Sequence, residues 1–184
     1  MRVKFIDSLP IIIGMPTGLK QSSSTVSIGF QVDETAANTF TQGSVDLNLS
    51  PLDREVFVVT SINLDPQTPD AIDATDTSVT MSLTTTSQTD VVNLSNANCL
   101  AISANVIRAR DFAAGGVAFQ TLGAETPPAQ LDYIGIIATN DFFVQVKGGN
   151  NNDAKQGSGK LYGYRAIASA DIYAALVQSE VLSA

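Results

Sequence analysis

The stretch Ser44-Val45-Asp46-Leu47-Asn48-Leu49 alternates strictly between polar and apolar side chains. Successive side chains of a β-strand point to opposite faces, so a period of two predicts a strand with one buried and one solvated face. The same alternation recurs in residues 25–32 and in residues 78–83. A register slip would turn every apolar side chain to solvent, so the pattern predicts the inward-facing set. That set is Val45, Leu47, Leu49, Val79, Met81 and Leu83.

Other segments extend this β pattern along the chain. Residues 55–64 and 99–107 are almost continuously apolar, which is typical of inner strands. Residues 132–139 and 142–146 are rich in β-forming side chains, and the short polar link Asn140-Asp141 between them indicates a hairpin. Residues 148–159, which are rich in Gly and Asn, predict a long flexible hairpin loop.

About ten strands at this spacing, with turn-rich segments between them, predict an all-β fold, an antiparallel β-sandwich. Its eight-stranded form with two Greek keys is the jelly roll, which we favour. The helical candidate is C-terminal, a short helix or helical turn with Asp171 as its expected cap and Ile172 and Leu176 as an i, i+4 pair. The length of 184 residues predicts a single domain, 1–184.

The charge of the chain narrows the classes of partner. Charged residues make up 15% of it, and 18 acidic against 10 basic residues leave a net charge of −8. A neutral polar surface suits a protein that packs against neighbours, and without clustered Lys and Arg we expect no direct binding of nucleic acid. Arg2 and Lys4 are expected to flank the first strand or to touch anionic lipid headgroups. Asp7 and Pro10 interrupt the apolar stretch that a signal peptide requires.

Residues typical of catalysis are sparse. The chain contains no histidine, which removes the commonest general base and the commonest transition-metal ligand. We predict no catalytic residue, no cofactor site, no metal site and no enzymatic activity. The lone Cys99 begins the apolar run 99–102 and is expected to be a small buried hydrophobic residue, with no disulfide within the chain.

An acidic segment from Asp65 to Asp76 is the main candidate for a metal site. Its four carboxylates, at Asp65, Asp70, Asp73 and Asp76, are of the kind that bind Ca²⁺. Their spacing departs from the Asp-x-Asp-x-Asp-Gly order of a calcium loop. We therefore predict a solvated connection between strands, with a calcium loop as the alternative.

Two basic sites are candidates for anion binding. Gly157-Ser158-Gly159-Lys160 is similar to the end of a phosphate-binding loop, but the required Ser or Thr after the lysine is replaced by Leu161, and the residues that follow predict a strand where that motif needs a helix. Arg108 and Arg110 alternate near Asp111 and indicate a salt-bridged strand end or a subunit contact, with an anionic ligand as the alternative.

The chain as a whole resembles the single jelly-roll major capsid proteins of tailless icosahedral viruses. The resemblance lies in its size, its strands, its Ser/Thr/Asn-rich loops, and the strand Lys160-Leu161-Tyr162-Gly163-Tyr164-Arg165 before a C-terminal tail. It implies a structural protein of the virion that self-assembles as an oligomer into a protein shell. Its expected partners are copies of itself and a second capsid protein, and its negative charge favours an internal viral membrane over a genome beneath the shell.

Two other classes of protein share this pattern. A ligand- or receptor-binding β-sandwich module is expected to expose an aromatic platform, but Trp is absent and most of the 8 Phe and 4 Tyr lie in predicted strands. A non-viral surface-layer or filament subunit follows the same packing physics but normally requires export.

Overall fold

The computed structural model describes residues 16–112, 115–123 and 132–182. These residues form ten β-strands, a 3-10 turn at Pro51–Asp53 and one α-helix. The strands are β1 (Leu19–Gln21), β2 (Val26–Asp33), β3 (Thr41–Asp46), β4 (Glu55–Pro66), β5 (Thr77–Thr84), β6 (Cys99–Arg108), β7 (Val117–Gly123), β8 (Gly135–Ile137), β9 (Asp141–Gly149) and β10 (Gln156–Ala168). The helix is α1 (Ala170–Leu182). Arg2 and Lys4 lie outside the described residues.

The strands form two antiparallel sheets. Sheet A has the order β2–β10–β4–β8, and β1 continues along the β2 edge of β10. Sheet B has the order β3–β9–β5–β6–β7. Without β1 and β7, each sheet has four strands, and the chain passes from one sheet to the other at every step except between β5 and β6, which are neighbours in sheet B. The all-β antiparallel sandwich is therefore confirmed, and its strand order is that of a jelly roll.

The core lies between the two sheets and contains the side chains that the alternation predicts. Five of the six predicted residues are buried in one cluster, and Val45 is partly buried against it. On the sheet A side they meet Phe57, Val59 and Ile62. The ring of Phe30 on β2 contacts that of Phe142 on β9 edge to face, with centroids 5.6 Å apart. Aromatic and aliphatic side chains from both sheets thus share one interior.

The predicted hairpin at Asn140-Asp141 is wrong. β8 pairs with β4 in sheet A, whereas β9 pairs with β3 and β5 in sheet B, so the link crosses the sandwich. The Asn140 side-chain amide donates to Asp46 at 2.7 Å, and its carbonyl oxygen accepts from the Leu49 N–H at 2.8 Å. These bonds to a distant segment hold the crossing in place, and a local β-turn pattern carries no information about them.

The predicted flexible hairpin loop at 148–159 is also wrong. β9 and β10 lie in different sheets, and they extend into the segment so that only residues 150–155 connect them. Asn150 has the left-handed conformation expected of an Asn in a turn, with φ 57°. The Asn151 N–H donates to the Asn38 side chain at 2.7 Å, and the Asn38 amide returns a bond to the Asn151 carbonyl at 2.8 Å. This reciprocal pair fastens the connection to the β2–β3 loop.

The late strand is confirmed, since β10 contains residues 160–165. It also contains Gly157 and Lys160, so the sequence similar to a phosphate-binding loop lies within a strand and opens no helix. Lys160 pairs in register with Gly29 of β2 and Asn63 of β4. The backbone groups that would hold a phosphate are hydrogen-bonded within sheet A.

The C-terminal helix is confirmed but is longer than one or two turns, with 13 residues. It begins at Ala170, so Asp171 lies in the first turn and is not the cap. It covers the outer face of sheet A, where Ile172, Tyr173, Leu176 and Val177 pack around Val56 and Val58. The described chain contains no helix long and apolar enough to span a membrane.

Candidate functional site

The four carboxylates of the predicted acidic segment do not converge on one point. Asp65 is exposed in β4, and Asp73 accepts a long hydrogen bond from the Gly115 N–H at 3.4 Å. Asp70 and Asp76 bind different basic residues. Within the described part of the chain, no three acidic, Cys or His side chains are placed to hold a metal ion.

Asp76 organises the end of β6. Its carboxylate accepts hydrogen bonds from the main-chain N–H groups of Arg110 at 3.0 Å and Ala109 at 2.9 Å, and from the Arg108 guanidinium at 2.9 Å. These donors, with the two main-chain groups foremost, lower the pKa of Asp76 to about 2. The Arg110 guanidinium lies 4.0 Å from the same carboxylate. Arg108 and Arg110 thus form the predicted salt-bridged strand end.

Asp70 forms an ion pair with Lys155, whose side chain is only 5% exposed. The hydrogen bond from Lys155 is the main cause that lowers the pKa of Asp70, and the main-chain N–H groups of Asn152 and Asp153 act in the same direction. The carboxylate therefore neutralises a buried ammonium group and also anchors the β9–β10 connection. This is a structural role, in which a partly exposed carboxylate is already bonded to one ammonium group and two main-chain N–H groups.

Glu34 is a buried acidic residue that the sequence patterns did not single out. One carboxylate oxygen accepts from the Gly148 N–H at 2.6 Å and the other from the Lys155 N–H at 2.8 Å. Glu34 continues the inward-facing positions of β2 after Val32. The sequence feature that could have identified Glu34 is a carboxylate at the next inward position of an alternating strand, because a buried charge requires partners.

Gln145 on β9 is a second buried polar residue that the sequence patterns did not single out. Its amide donates to Thr84 at 2.7 Å and to Gln42 at 3.0 Å, and its carbonyl oxygen accepts from Ser82 at 2.9 Å. These side chains lie on the outer face of sheet B, where the β5–β6 connection covers them and the Val92 N–H donates to Ser82. The arrangement is a fully bonded polar layer, which fixes that connection to the sheet.

Cys99 is half-buried at the start of β6. Desolvation raises the pKa of its thiol to about 11. The thiolate is the nucleophilic form of cysteine, so at neutral pH this side chain is a poor nucleophile. The predicted buried position is confirmed only in part, since the side chain is half-buried.

The remaining candidate is a surface rather than a pocket. On β7, all the side chains from Val117 to Leu122 are exposed, including 55% of Phe119. Phe112, in the β6–β7 connection, is exposed as well. A shallow cavity of about 140 Å³ lies beside this strand and is lined by Ile72, Ile107 and other largely apolar residues. Exposed apolar side chains that are contiguous on a folded protein commonly mark an interface with another molecule.

Comparisons with known proteins add two solved structures. A chain from Desmodium yellow mottle tymovirus is 13% identical, with 89% of this chain and 96% of that chain covered and a TM-score of 0.26. A chain from turnip yellow mosaic virus is also 13% identical, with 80% and 95% covered and a TM-score of 0.26.

No family model and no curated protein matches the sequence. The jelly-roll fold is identified from the chain's own strand order.

Proposed function

We propose that this protein is a structural subunit that assembles with copies of itself into a protein shell, the capsid of a virion. The observation that carries the proposal is a jelly roll with a filled interior and with apolar side chains exposed at one end of sheet B. Phe112, Val117, Phe119 and Leu122 lie within a short span of chain there. Jelly rolls serve mainly as capsid, lectin and cupin domains. The filled interior and the exposed apolar end suit the first.

Among the described residues, the side chains between the two sheets form a closely packed cluster. Val79, Met81 and Leu83 of sheet B and Ile62 and Phe57 of sheet A are at most 1% exposed and belong to one cluster. Ligand sites in β-barrels and sandwiches require a concave cavity with a few polar groups directed into it. The packed core instead supports a rigid building block, because close packing transmits load without rearrangement.

The sugar-binding alternative finds little support in the exposed aromatic side chains. Among the described residues, only Phe112 and Phe119 are exposed aromatics, and all four Tyr residues are partly buried. Phe offers a stacking face but has no polar group to bond a sugar hydroxyl. These two rings are better suited to the apolar side chains of another protein.

The charge of the subunit bears on what lies inside the shell. At −8 the chain would repel packed nucleic acid, over about 8 Å at ~0.15 M salt. A bilayer beneath the shell, or distinct basic internal proteins, would separate the shell from the genome or neutralise the repulsion. We favour the membrane, since the shell then needs only weak, largely uncharged inner contacts, with Arg2 and Lys4 as the cations nearest the N-terminus.

Negative-stain microscopy of the purified protein, together with sedimentation over a range of concentrations, tests the proposal. Closed shells or their curved fragments are the expected result. Flat lattices or filaments would favour the surface-layer or filament alternative, which shares the same packing. A stable monomer at high concentration would refute the structural role. For assembled particles, lipid extraction followed by density profiles distinguishes a bilayer from a shell that rests directly on nucleic acid.

A further inference from the structure

We infer that β7 pairs edge to edge with the β7 strand of a second copy of this chain, across a two-fold axis, so that the B sheets of two subunits become continuous. The inference rests on the proposed function, because it names one contact by which subunits of a shell would join. β7 lies outside the eight strands of the jelly roll. It is therefore an addition that the fold itself does not need.

Within the described residues, β7 has a partner strand on one edge and none on the other. The paired edge bonds to β6 along the whole strand, from Val117 opposite Arg108 to Gly123 opposite Ile102. β7 ends sheet B, and none of the strands in the described ranges pairs with it on the far side. The N–H and C=O groups of an edge strand form a ready template for another chain.

The composition of β7 sets it apart from the other edge strands of the described structure. β1 and β8 have three residues each, and short edges are poor templates. β2 and β3 each end in an aspartate, at Asp33 and Asp46. β7 has seven residues with no charge and no proline. The usual protections against edge pairing are present on the other edges and missing on this one.

The side chains of β7 would gain burial on both faces of the joined sheet. Phe119 lies beside Val106 of β6 on the outer face, and Leu122 lies opposite Ser103 on the inner face. Val117, Phe119 and Leu122 are each between 44% and 55% exposed in the isolated subunit. A strand added alongside them would cover apolar surface above and below the sheet at once, which stabilises the pair in proportion to the area buried.

The charge pattern favours a second copy as the partner. Two chains at −8 repel each other over most of their surfaces, and an uncharged strand is where that repulsion is least. An antiparallel pair of identical β7 strands places only neutral side chains opposite each other. A charged partner peptide would find no opposite charge on the strand. Two-fold contacts between identical surfaces are also the commonest way in which subunits associate.

The contact is expected to be weak in free subunits. Stable interfaces bury at least about 1,200 Å² in total, and one pair of seven-residue strands buries less. In a shell each subunit is held by several contacts, so that a weak pairing acts at high effective concentration. The β7 pair should therefore be populated mainly at high protein concentration and in assembled particles.

A cysteine scan tests the pairing directly. In a Cys99→Ala background, the variants are Ala118→Cys, Phe119→Cys, Gln120→Cys and Thr121→Cys. The matched control is Ser44→Cys, on the exposed part of edge strand β3. Residues opposite each other in an antiparallel pair lie about 5 Å apart, and each step along the strand separates symmetry-related positions by about 7 Å more. The dimer yield after mild oxidation should peak at one or two neighbouring β7 positions, several-fold above the control.

A uniform yield across the scan, or a yield no higher than at Ser44, would overturn the inference. So would peptide mapping that finds β7 cross-linked to a different segment. As a second variant, Phe119→Lys should retain the native circular dichroism spectrum and lose the dimer, whereas Ser44→Lys should retain both. Shells assembled from the β7 cysteine variants that form no β7 cross-link on oxidation would refute the pairing and leave the proposed function standing. A β7-linked dimer that forms no larger assembly would refute the shell and leave the pairing standing.

Discussion

Glu180 on α1 accepts a hydrogen bond from the main-chain N–H of Ala138 at 2.9 Å, which ties the C-terminal helix to the chain that leaves β8. The second carboxylate oxygen accepts from the Thr139 N–H at 3.0 Å. Burial raises the pKa of Glu180, and the two N–H donors oppose that rise. One side chain thus satisfies two main-chain donors that the sheet leaves unpaired, and it anchors the helix that covers sheet A.

Replacement of Glu180 by alanine should lower the free energy of unfolding by about 1–3 kcal/mol, because main-chain N–H groups would lose their acceptor at a largely buried site. Alanine has the highest helix propensity, so the substitution does not destabilise the helix itself. Equilibrium denaturant unfolding measures the change. Gln178→Ala, on the exposed face of the same helix, is the control and should stay within about 0.5 kcal/mol of wild type. Equal effects of the two substitutions would contradict the anchoring role.

The Asp70–Lys155 pair should respond unequally to loss of either partner. Asp70→Asn leaves an ammonium group that is only 5% exposed without its counterion, and should cost about 3 kcal/mol. Lys155→Met leaves a carboxylate that is partly exposed and keeps its main-chain donors, so its cost should be smaller. Asp65→Asn, in the same acidic segment but exposed, should be nearly neutral. Denaturant unfolding of the three variants measures the loss of unfolding free energy in each. A larger loss for Lys155→Met than for Asp70→Asn would contradict the greater cost of an unpaired buried ammonium group.

The lowered pKa of Asp76 predicts that the free energy of unfolding depends on pH in the acidic range. Its folded-state pKa of about 2 lies below the ordinary value of 3.8, so between these values the native chain binds fewer protons than the unfolded chain. The stabilisation that Asp76 contributes is fully present above the ordinary pKa of 3.8 and is lost as the pH falls toward the folded-state pKa of about 2. The difference in unfolding free energy between wild type and Asp76→Asn should therefore shrink from about pH 4 to about pH 2. A difference that stays constant over this range would show that the carboxylate is not held as described.

Two glycines in sheet A should differ sharply in their tolerance of a methyl group. At Gly163 a Cβ would overlap the carbonyl oxygen of Val58, which is main chain and cannot move aside. Gly163→Ala should therefore destabilise the protein by about 3 kcal/mol. At Gly29 a Cβ meets nothing within 4 Å, so Gly29→Ala should be within about 0.5 kcal/mol of wild type or slightly stabilising. Thermal unfolding of both variants checks the contrast, and similar melting temperatures would count against the close approach of β10 and β4.

The local pattern of residues was sufficient to predict the strands and their inward faces. Alternation in residues 78–83 identified Val79, Met81 and Leu83 as core, and the structure buries all three. This works because a strand's two faces are set by the geometry of its own backbone, and the hydrophobic effect then selects the face that turns inward. Low charge and the absence of histidine likewise follow from composition alone, and they remove the commonest catalytic base from the chemistry open to this chain.

The partners of each strand and each charge depended on the tertiary structure. Asn140-Asp141 has the composition of a tight turn, yet its hydrogen bonds to Asp46 and Leu49 direct the chain across to the other sheet. Lys155 and Glu34, far apart in sequence, become one buried cluster only because β2 and the β9–β10 connection meet. The tertiary structure likewise decides that β7 pairs with β6 and that its other edge has no partner strand among the described residues. Such pairings are long-range contacts, chosen by the packing of the whole sandwich, and nearest-neighbour patterns do not encode them.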